Sequence, residues 1–255
     1  MIKKVVIAAA GRGARMLFLT KNRPKHLIKI QKKPFLVYLL NNLLKAGYKE
    51  LIIVVGYKEE KIREFLKEYA SGDIFRFGSK YKYKATLINQ FEILGKEEYG
   101  TACPLKCVKD FIGKEDFLMV YGDNLYSIKD LRAFNIKDRY NYVAGFHHKH
   151  PEKYGVLISD NDFLKEIVEK PKKYTSNLIN TGLYKFTPEV FNKLSKIHLS
   201  SRGEYELTDI VTLLAREKKM KIKKIQDYWL DFGNPADIVR LSYFLKTSEN
   251  FKKSR

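Results

Sequence analysis

The stretch Val5-Val6-Ile7-Ala8-Ala9-Ala10-Gly11-Arg12-Gly13-Ala14-Arg15, running on to Arg23-Pro24-Lys25, constrains this chain more than any other. Residues 3–9 form an apolar, β-branched run, long enough for a buried strand and too short for a membrane span or a secretory core. Gly11 and Gly13 then release the backbone. Two glycines two residues apart let the chain turn sharply and bring its N–H groups close to a ligand, as loops after the first strand of α/β sheets do when they hold phosphate. An ordinary strand-to-loop turn would use the same pair. Arg15 and Lys25 add fixed positive charge beside the loop.

The pattern downstream fits such a sheet. Residues 34–46 carry helical periodicity and stop at Gly47, residues 51–55 are a short apolar strand, and residues 59–69 read as an amphipathic helix. This order predicts a parallel sheet with crossover helices and a ligand site at the carboxyl ends of its strands. Between residues 71 and 99 the pattern weakens, with one strand expected within 86–94. A helix is expected from Gly100-Thr101-Ala102 through Lys109, then a strand over 116–121 ending in Gly122-Asp123-Asn124. From residue 142 onward strands dominate: 142–146, 156–159, 164–169 and 179–186 fit a second, partly antiparallel layer. Helices return at 206–218 and 235–245, with a polar tail over 248–255.

With 255 residues the chain can bury a sizeable core without a disulfide or metal. No run of eighteen apolar residues and no signal peptide is visible, which predicts a cytoplasmic protein without a membrane span. Cys103 and Cys107, four residues apart, would share a helix face and read as buried small residues of a reducing compartment. The 49 Lys and Arg against 29 Asp and Glu leave a formal charge of +20, which suits nucleic acid, an anionic membrane surface or anionic substrates. The basic residues are scattered, with short clusters such as Lys218-Lys219 and Lys221 to Lys224. That is the pattern of solvated faces, and no nucleic-acid partner is expected. A homo-oligomer is left open.

Two aspartates stand where carboxylates would serve phosphoryl-type chemistry. Asp123 directly follows the apolar strand Leu118-Met119-Val120-Tyr121-Gly122, and Asp231 lies between apolar neighbours in Trp229-Leu230-Asp231-Phe232-Gly233-Asn234-Pro235. Asp123 would also serve as an ordinary turn residue, and Asp231 as the cap of the helix near Pro235. A buried carboxylate must be partnered or act as a ligand.

Read together, Gly11-Arg12-Gly13-Ala14-Arg15-Met16-Leu17-Phe18-Leu19-Thr20 and Arg23-Pro24-Lys25 resemble the signature of the sugar-1-phosphate nucleotidylyltransferases, with Ala14 and Phe18 in place of the usual Thr and Pro. Five further segments fall in the family's order: Gly122-Asp123-Asn124, Tyr154-Gly155-Val156, Val168-Glu169-Lys170-Pro171, Asn180-Thr181-Gly182 and Trp229 to Pro235. Gly203-Glu204-Tyr205-Glu206-Leu207-Thr208-Asp209 matches another. The resemblance implies a Rossmann-like α/β sandwich with a mixed, mostly parallel central sheet, in one domain over 1–247. Its nucleotide half would span about 1–130 and its sugar half 131–247.

The resemblance also implies a reaction: transfer of a nucleotidyl group from a nucleoside triphosphate to a sugar 1-phosphate, with release of pyrophosphate. Arg15, Lys25 and Lys170 become the expected catalytic cations. Ala9, Ala10, Gly11, Gly13, Gln90 and Gly100 become nucleotide contacts, and Gly155, Glu169 and Asn180 sugar contacts. Asp123 and Asp231 become ligands of a catalytic Mg2+. Glucose 1-phosphate with UTP or dTTP is the preferred pair. Gly100-Thr101-Ala102-Cys103-Pro104-Leu105 and Ser176 to Asn180 lean toward mannose-1-phosphate guanylyltransferases, and a non-catalytic regulatory member of the fold is the alternative of another class. Gln90 stands ten residues before Gly100, further than the family's usual base-reading Gln. The cluster His147, His148 and His150 falls in a segment where the family is variable and is not expected to bind metal.

Overall fold

The computed structural model describes residues 1–71 and 81–253. The opening run forms strand β1 (Lys4–Ala9), and the glycine loop leads into a 3-10 segment, Ala14–Thr20. A small hairpin follows, β2 (Lys29–Ile30) and β3 (Lys33–Pro34). Helix α1 (Phe35–Ala46) buries seven apolar residues and stops where expected, because Gly47 turns into the left-handed region at φ 105° and bonds back to the carbonyls of Leu43 and Leu44. Strand β4 (Glu50–Val55), helix α2 (Glu59–Ser71) and strand β5 (Lys84–Asn89) complete the first crossovers.

Helices α3 (Gln90–Leu94) and α4 (Cys103–Ile112) precede β6 (Phe117–Tyr121), β7 (Asn124–Tyr126) and α5 (Ile128–Ala133). The second half supplies β8 (Asn141–His147), β9 (Gly155–Asp160), β10 (Phe163–Glu169) and β11 (Leu178–Phe186). Helix α6 (Leu207–Arg216), strands β12 (Met220–Lys224) and β13 (Trp229–Asp231), and helix α7 (Asp237–Lys253) close the chain. The backbone is thus still helical through Lys253, inside the stretch expected as a polar tail.

Nine strands join one mixed sheet in the order β5-β4-β1-β6-β11-β8-β12-β10-β9. β1 lies in parallel register with β4 on one side and β6 on the other. Beyond β6 the pairings are antiparallel except for β8 with β12. The strands of the second half therefore do not form a separate layer. β11 returns antiparallel onto β6 and continues the same sheet, buried on both faces as a central strand is. Alternation along β1 shows the sandwich: Val5, Ile7 and Ala9 pack under α1, α5 and α7, while Val6 packs with α4 and α6 on the opposite face.

Two segments depart from expectation. The strand sought within 86–94 is β5, which begins at Lys84 and gives way to α3 at Gln90, while residues 72–80 lie outside the described part. The basic cluster 221–224 belongs to β12, inserted between β8 and β10. Met220 is buried there, and Lys221 lies over the rings of Tyr140 and Phe163, 4.4 and 5.0 Å from their centroids. Charge hid a strand whose Lys221 covers aromatic surface instead of simply facing water.

Candidate functional site

A cleft of about 430 Å³ opens at the carboxyl ends of the parallel strands. Arg15, Lys25, Ala10, Gly11, Gln90 and Gly100 line it from the first half of the chain, and Gly155, Glu169, Lys170 and Asn180 from the second. Asp123 and Asp231 line it as well. Since β6 stands between β1 and β11, Asp123 emerges between the two groups. Ala9 and Gly13 do not line the cleft. Ala9 is buried in the core, its strand neighbour Ala8 facing the cleft instead. Gly13 sits at φ 67°, where its carbonyl accepts hydrogen bonds from Met16 N and the Thr20 hydroxyl and so starts the 3-10 turn that carries Arg15.

Lys25 forms an ion pair with Asp123. Burial pushes the Asp123 carboxyl up, but the Lys25 ammonium pulls it further down and holds it below the usual carboxylate range. Beneath the pair His26 is 1% exposed with Nδ1 unpartnered, and burial together with Lys25 lowers its pKa to about 3. His26 is therefore neutral at pH 7. Arg15 and Lys170, by contrast, are exposed in the cleft and make no ion pair among the described residues. Lys170 is held at φ 44°, costly for a non-glycine residue, with its N–H bonded to Tyr154 O.

The two aspartates meet through a short ladder. β13 pairs antiparallel with β7 so that Asp231 faces Asn124, and Phe232 N donates to Asp123 O at 2.8 Å. Trp229 Nε1 donates to Asn124 Oδ1 at 3.1 Å and locks the register. Asp231 accepts from Arg240 Nη2 at 2.6 Å and from the Tyr154 hydroxyl at 3.2 Å. It does not cap α7. Asp237, the first residue of that helix, instead accepts from the preceding loop, from Gly233 N and Asn234 N, each at 2.9 Å. Both aspartates are thus charge-compensated carboxylates at one end of a two-stranded ribbon. Among the described residues no three His, Cys, Asp or Glu side chains cluster as a metal site.

On the second-half side, Gly155 pairs with Glu169 across β9 and β10, and a Cβ on Gly155 would lie 3.0 Å from Glu169 Oε2. Asn180 is fixed at both ends of its amide, Nδ2 donating to the Tyr184 hydroxyl at 2.7 Å and Oδ1 accepting from Gly182 N at 3.0 Å. Arg202, Glu204 and Glu206 also line the cleft. Arg202 went unnoticed in the sequence, although it directly precedes the Gly203 to Asp209 motif.

Gln90 closes the other end. It is 1% exposed, Nε2 reaches Glu98 O only at 3.5 Å, and Oε1 has no partner. Its amide oxygen is thus an unused acceptor in the cleft wall. Gly100 sits at φ 134°, and a Cβ there would come within 2.2 Å of Tyr205 O. Cys103 and Cys107 are buried free thiols on α4, pushed up by burial to about 11 and about 12. His148 packs against Tyr154 and Trp229, and His147 bonds Asn177. Neither group forms a metal site among the described residues.

The family model for nucleotidyl transferases matches residues 4–248. The bifunctional sugar-1-phosphate nucleotidylyltransferase/acetyltransferase of Sulfurisphaera tokodaii is 33% identical over 92% of this chain and 54% of its own length. The bifunctional protein GlmU of Methanocaldococcus jannaschii is 35% identical over 94% of this chain and 53% of its own. The chain thus spans about half the length of these curated relatives. The UTP–glucose-1-phosphate uridylyltransferase AglF of Haloferax volcanii is 32% identical over 92% of this chain and 93% of its own length. A solved UDP-glucose pyrophosphorylase complexed with UDP-glucose superposes with a TM-score of 0.80 at 26% identity, covering the whole of both chains.

Proposed function

The chain belongs to the nucleotidyl transferase family, and from that premise we propose that its cleft transfers a nucleotidyl group from a nucleoside triphosphate to a sugar 1-phosphate. The observation that carries this reading is a single cleft in which uncommitted cations from both halves, Arg15 and Lys170, flank two compensated aspartates. A phosphate oxygen of the sugar 1-phosphate attacks the α-phosphorus, the bond from that phosphorus to the bridging oxygen of the β-phosphate breaks, and pyrophosphate leaves with the electron pair. No covalent enzyme intermediate is needed. Catalysis is positioning plus charge neutralisation.

Arg15 takes the triphosphate and stabilises the departing pyrophosphate. Lys25 contacts phosphate beside the reacting centre, and Lys170 grips the attacking phosphate. Glu169 and Asn180 receive the sugar hydroxyls, since a carboxylate beside an amide suits a polyol. Ala10, Gly11 and Gly100 offer backbone to the nucleotide, and residues about 1–130 and 131–247 act as its nucleotide and sugar halves.

Asp123 and Asp231 fit Mg2+, which takes one or two carboxylates and completes its shell with water and phosphate oxygens. When bound, the ion would neutralise phosphate charge at the reacting centre. Lys25 and Arg240 pair with the two carboxylates and fix their positions in the cleft.

UTP or dTTP with glucose 1-phosphate is the preferred pair. The unpartnered Gln90 Oε1 would accept from the imide N–H of a pyrimidine, and the relative AglF carries UTP and glucose 1-phosphate in its name. The test is pyrophosphate release with Mg2+, crossing UTP, dTTP, GTP, CTP and ATP against glucose, N-acetylglucosamine and mannose 1-phosphates. Release that needs one base and one sugar phosphate supports the assignment. Silence in every pair, with triphosphate still bound, would favour a regulatory role for the fold.

A further inference from the structure

The nucleotide turn and the sugar-side loop are built on each other. Tyr205 N donates to Tyr99 O and Ala102 N to Tyr205 O, both at 2.9 Å, so the turn 99–102 and the loop 199–206 run as one short ladder. The approach is so close that Gly100 has no room for a Cβ. Side chains repeat the junction. Thr101 Oγ1 accepts from Leu207 N at 2.9 Å, capping α6 from a distant segment, and donates to Glu206 Oε2 at 3.3 Å. The other carboxylate oxygen, Glu206 Oε1, accepts from Arg202 Nη2 at 2.8 Å and from the Ser200 hydroxyl at 3.1 Å. Glu206 is 6% exposed and lines the cleft, as do Thr101 and Arg202. Arg202 also feels the charge of Glu169, one of the expected sugar contacts.

One buried carboxylate therefore holds the nucleotide turn with one oxygen and a sugar-side guanidinium with the other. The two oxygens of a carboxylate move as a rigid unit. Through these contacts a shift of Thr101 when a base fills the turn would be passed by Glu206 to Arg202, and phosphate on Arg202 back to Thr101. We propose that Glu206 is a positioning residue that couples the two substrates, so that bound nucleotide tightens binding of the sugar 1-phosphate through Thr101 and Arg202. The inference rests on the reading of the cleft as a transferase site. The coupling is reciprocal in equilibrium terms, each substrate tightening the other by the same factor.

Titration calorimetry of glucose 1-phosphate tests it, with Mg2+ present, into the free protein and into protein saturated with the α,β-imido analogue of UTP, which cannot be transferred. The analogue should tighten glucose 1-phosphate binding roughly tenfold, within the usual range for coupled sites. The factor should fall below about twofold in Glu206→Gln and in Thr101→Val, and survive in Thr101→Ser, which keeps the hydroxyl. Melting temperatures of all variants check that each is folded, and Thr101→Val carries the test alone if Glu206→Gln is not. Equal coupling in wild type and the folded variants overturns the proposal, as does a wild type that binds both ligands independently. A wild type that binds neither ligand overturns the transferase reading itself, and this inference with it.

Discussion

Asp123 and Arg15 reach the cleft by different means, and their substitution separates two effects. Asp123 is buried against Lys25, and Arg15 is an exposed cation without an ion-pair partner among the described residues. Asp123→Asn and Arg15→Ala should each cost about 2–4 kcal/mol of transition-state stabilisation, read as kcat/KM, with Arg15→Ala leaving the melting temperature unchanged. Wild-type turnover in either variant removes that residue from the mechanism. His26 gives a prediction for acid stability. Its folded pKa of about 3 lies below its ordinary 6.5, so between those values the unfolded chain binds a proton that the folded chain refuses. Stability falls as pH drops through that window, by up to about 1.4 kcal/mol per pH unit. Asp123 has the same sign but acts lower, its contribution being lost as pH falls below the ordinary carboxylate range. Urea unfolding of His26→Asn should show a flatter pH dependence between 6 and 4; an unchanged slope would show that another group dominates. At this scale the sequence was legible wherever a charged residue followed a strand or a glycine turn, as Asp123 and Arg15 do. It was silent on Arg202, whose place depends on a ladder between segments a hundred residues apart.

The parallel strands β1, β4 and β6 were readable because each is a buried apolar run, whereas β5, mostly exposed or half-buried, gave a weaker signal. β12 was not readable, since its MKIKK sequence buries Met220 and hides its strand character under lysines. The antiparallel return of β11 onto β6 was equally hidden, because local pattern says nothing about which edge a strand joins. β11 also carries the fully buried Lys185, whose ammonium meets the carbonyls of Asp138 and Tyr140 at 2.8 and 2.7 Å and the carboxylate of Asp116 at 3.0 Å. Lys185→Met would strand those acceptors and should lower stability by about 3 kcal/mol, with kcat/KM of the folded enzyme unchanged. Gly100→Ala forces a Cβ toward Tyr205 at a positive φ and should cost about 2 kcal/mol or more, here with activity lost as well. Chemical denaturation beside steady-state assays distinguishes the two outcomes.

Over the whole molecule, the charge of +20 is carried outside the cleft, whose lining balances Arg15, Lys25, Lys153, Lys170 and Arg202 against Asp123, Glu169, Glu204, Glu206 and Asp231, although that space is the one proposed for the two phosphorylated substrates. Composition alone could not say this, because scattered lysines look alike whether they cover aromatics, pair with glutamates or await phosphate. The central claim is that this space joins those substrates at the α-phosphorus. The most direct test follows UTP radiolabelled at that phosphorus through incubation with glucose 1-phosphate and Mg2+. Label recovered in a nucleotide sugar, with unlabelled pyrophosphate, is the result this account predicts. Label remaining in UTP, or released as UMP whether or not the sugar phosphate is present, would contradict it.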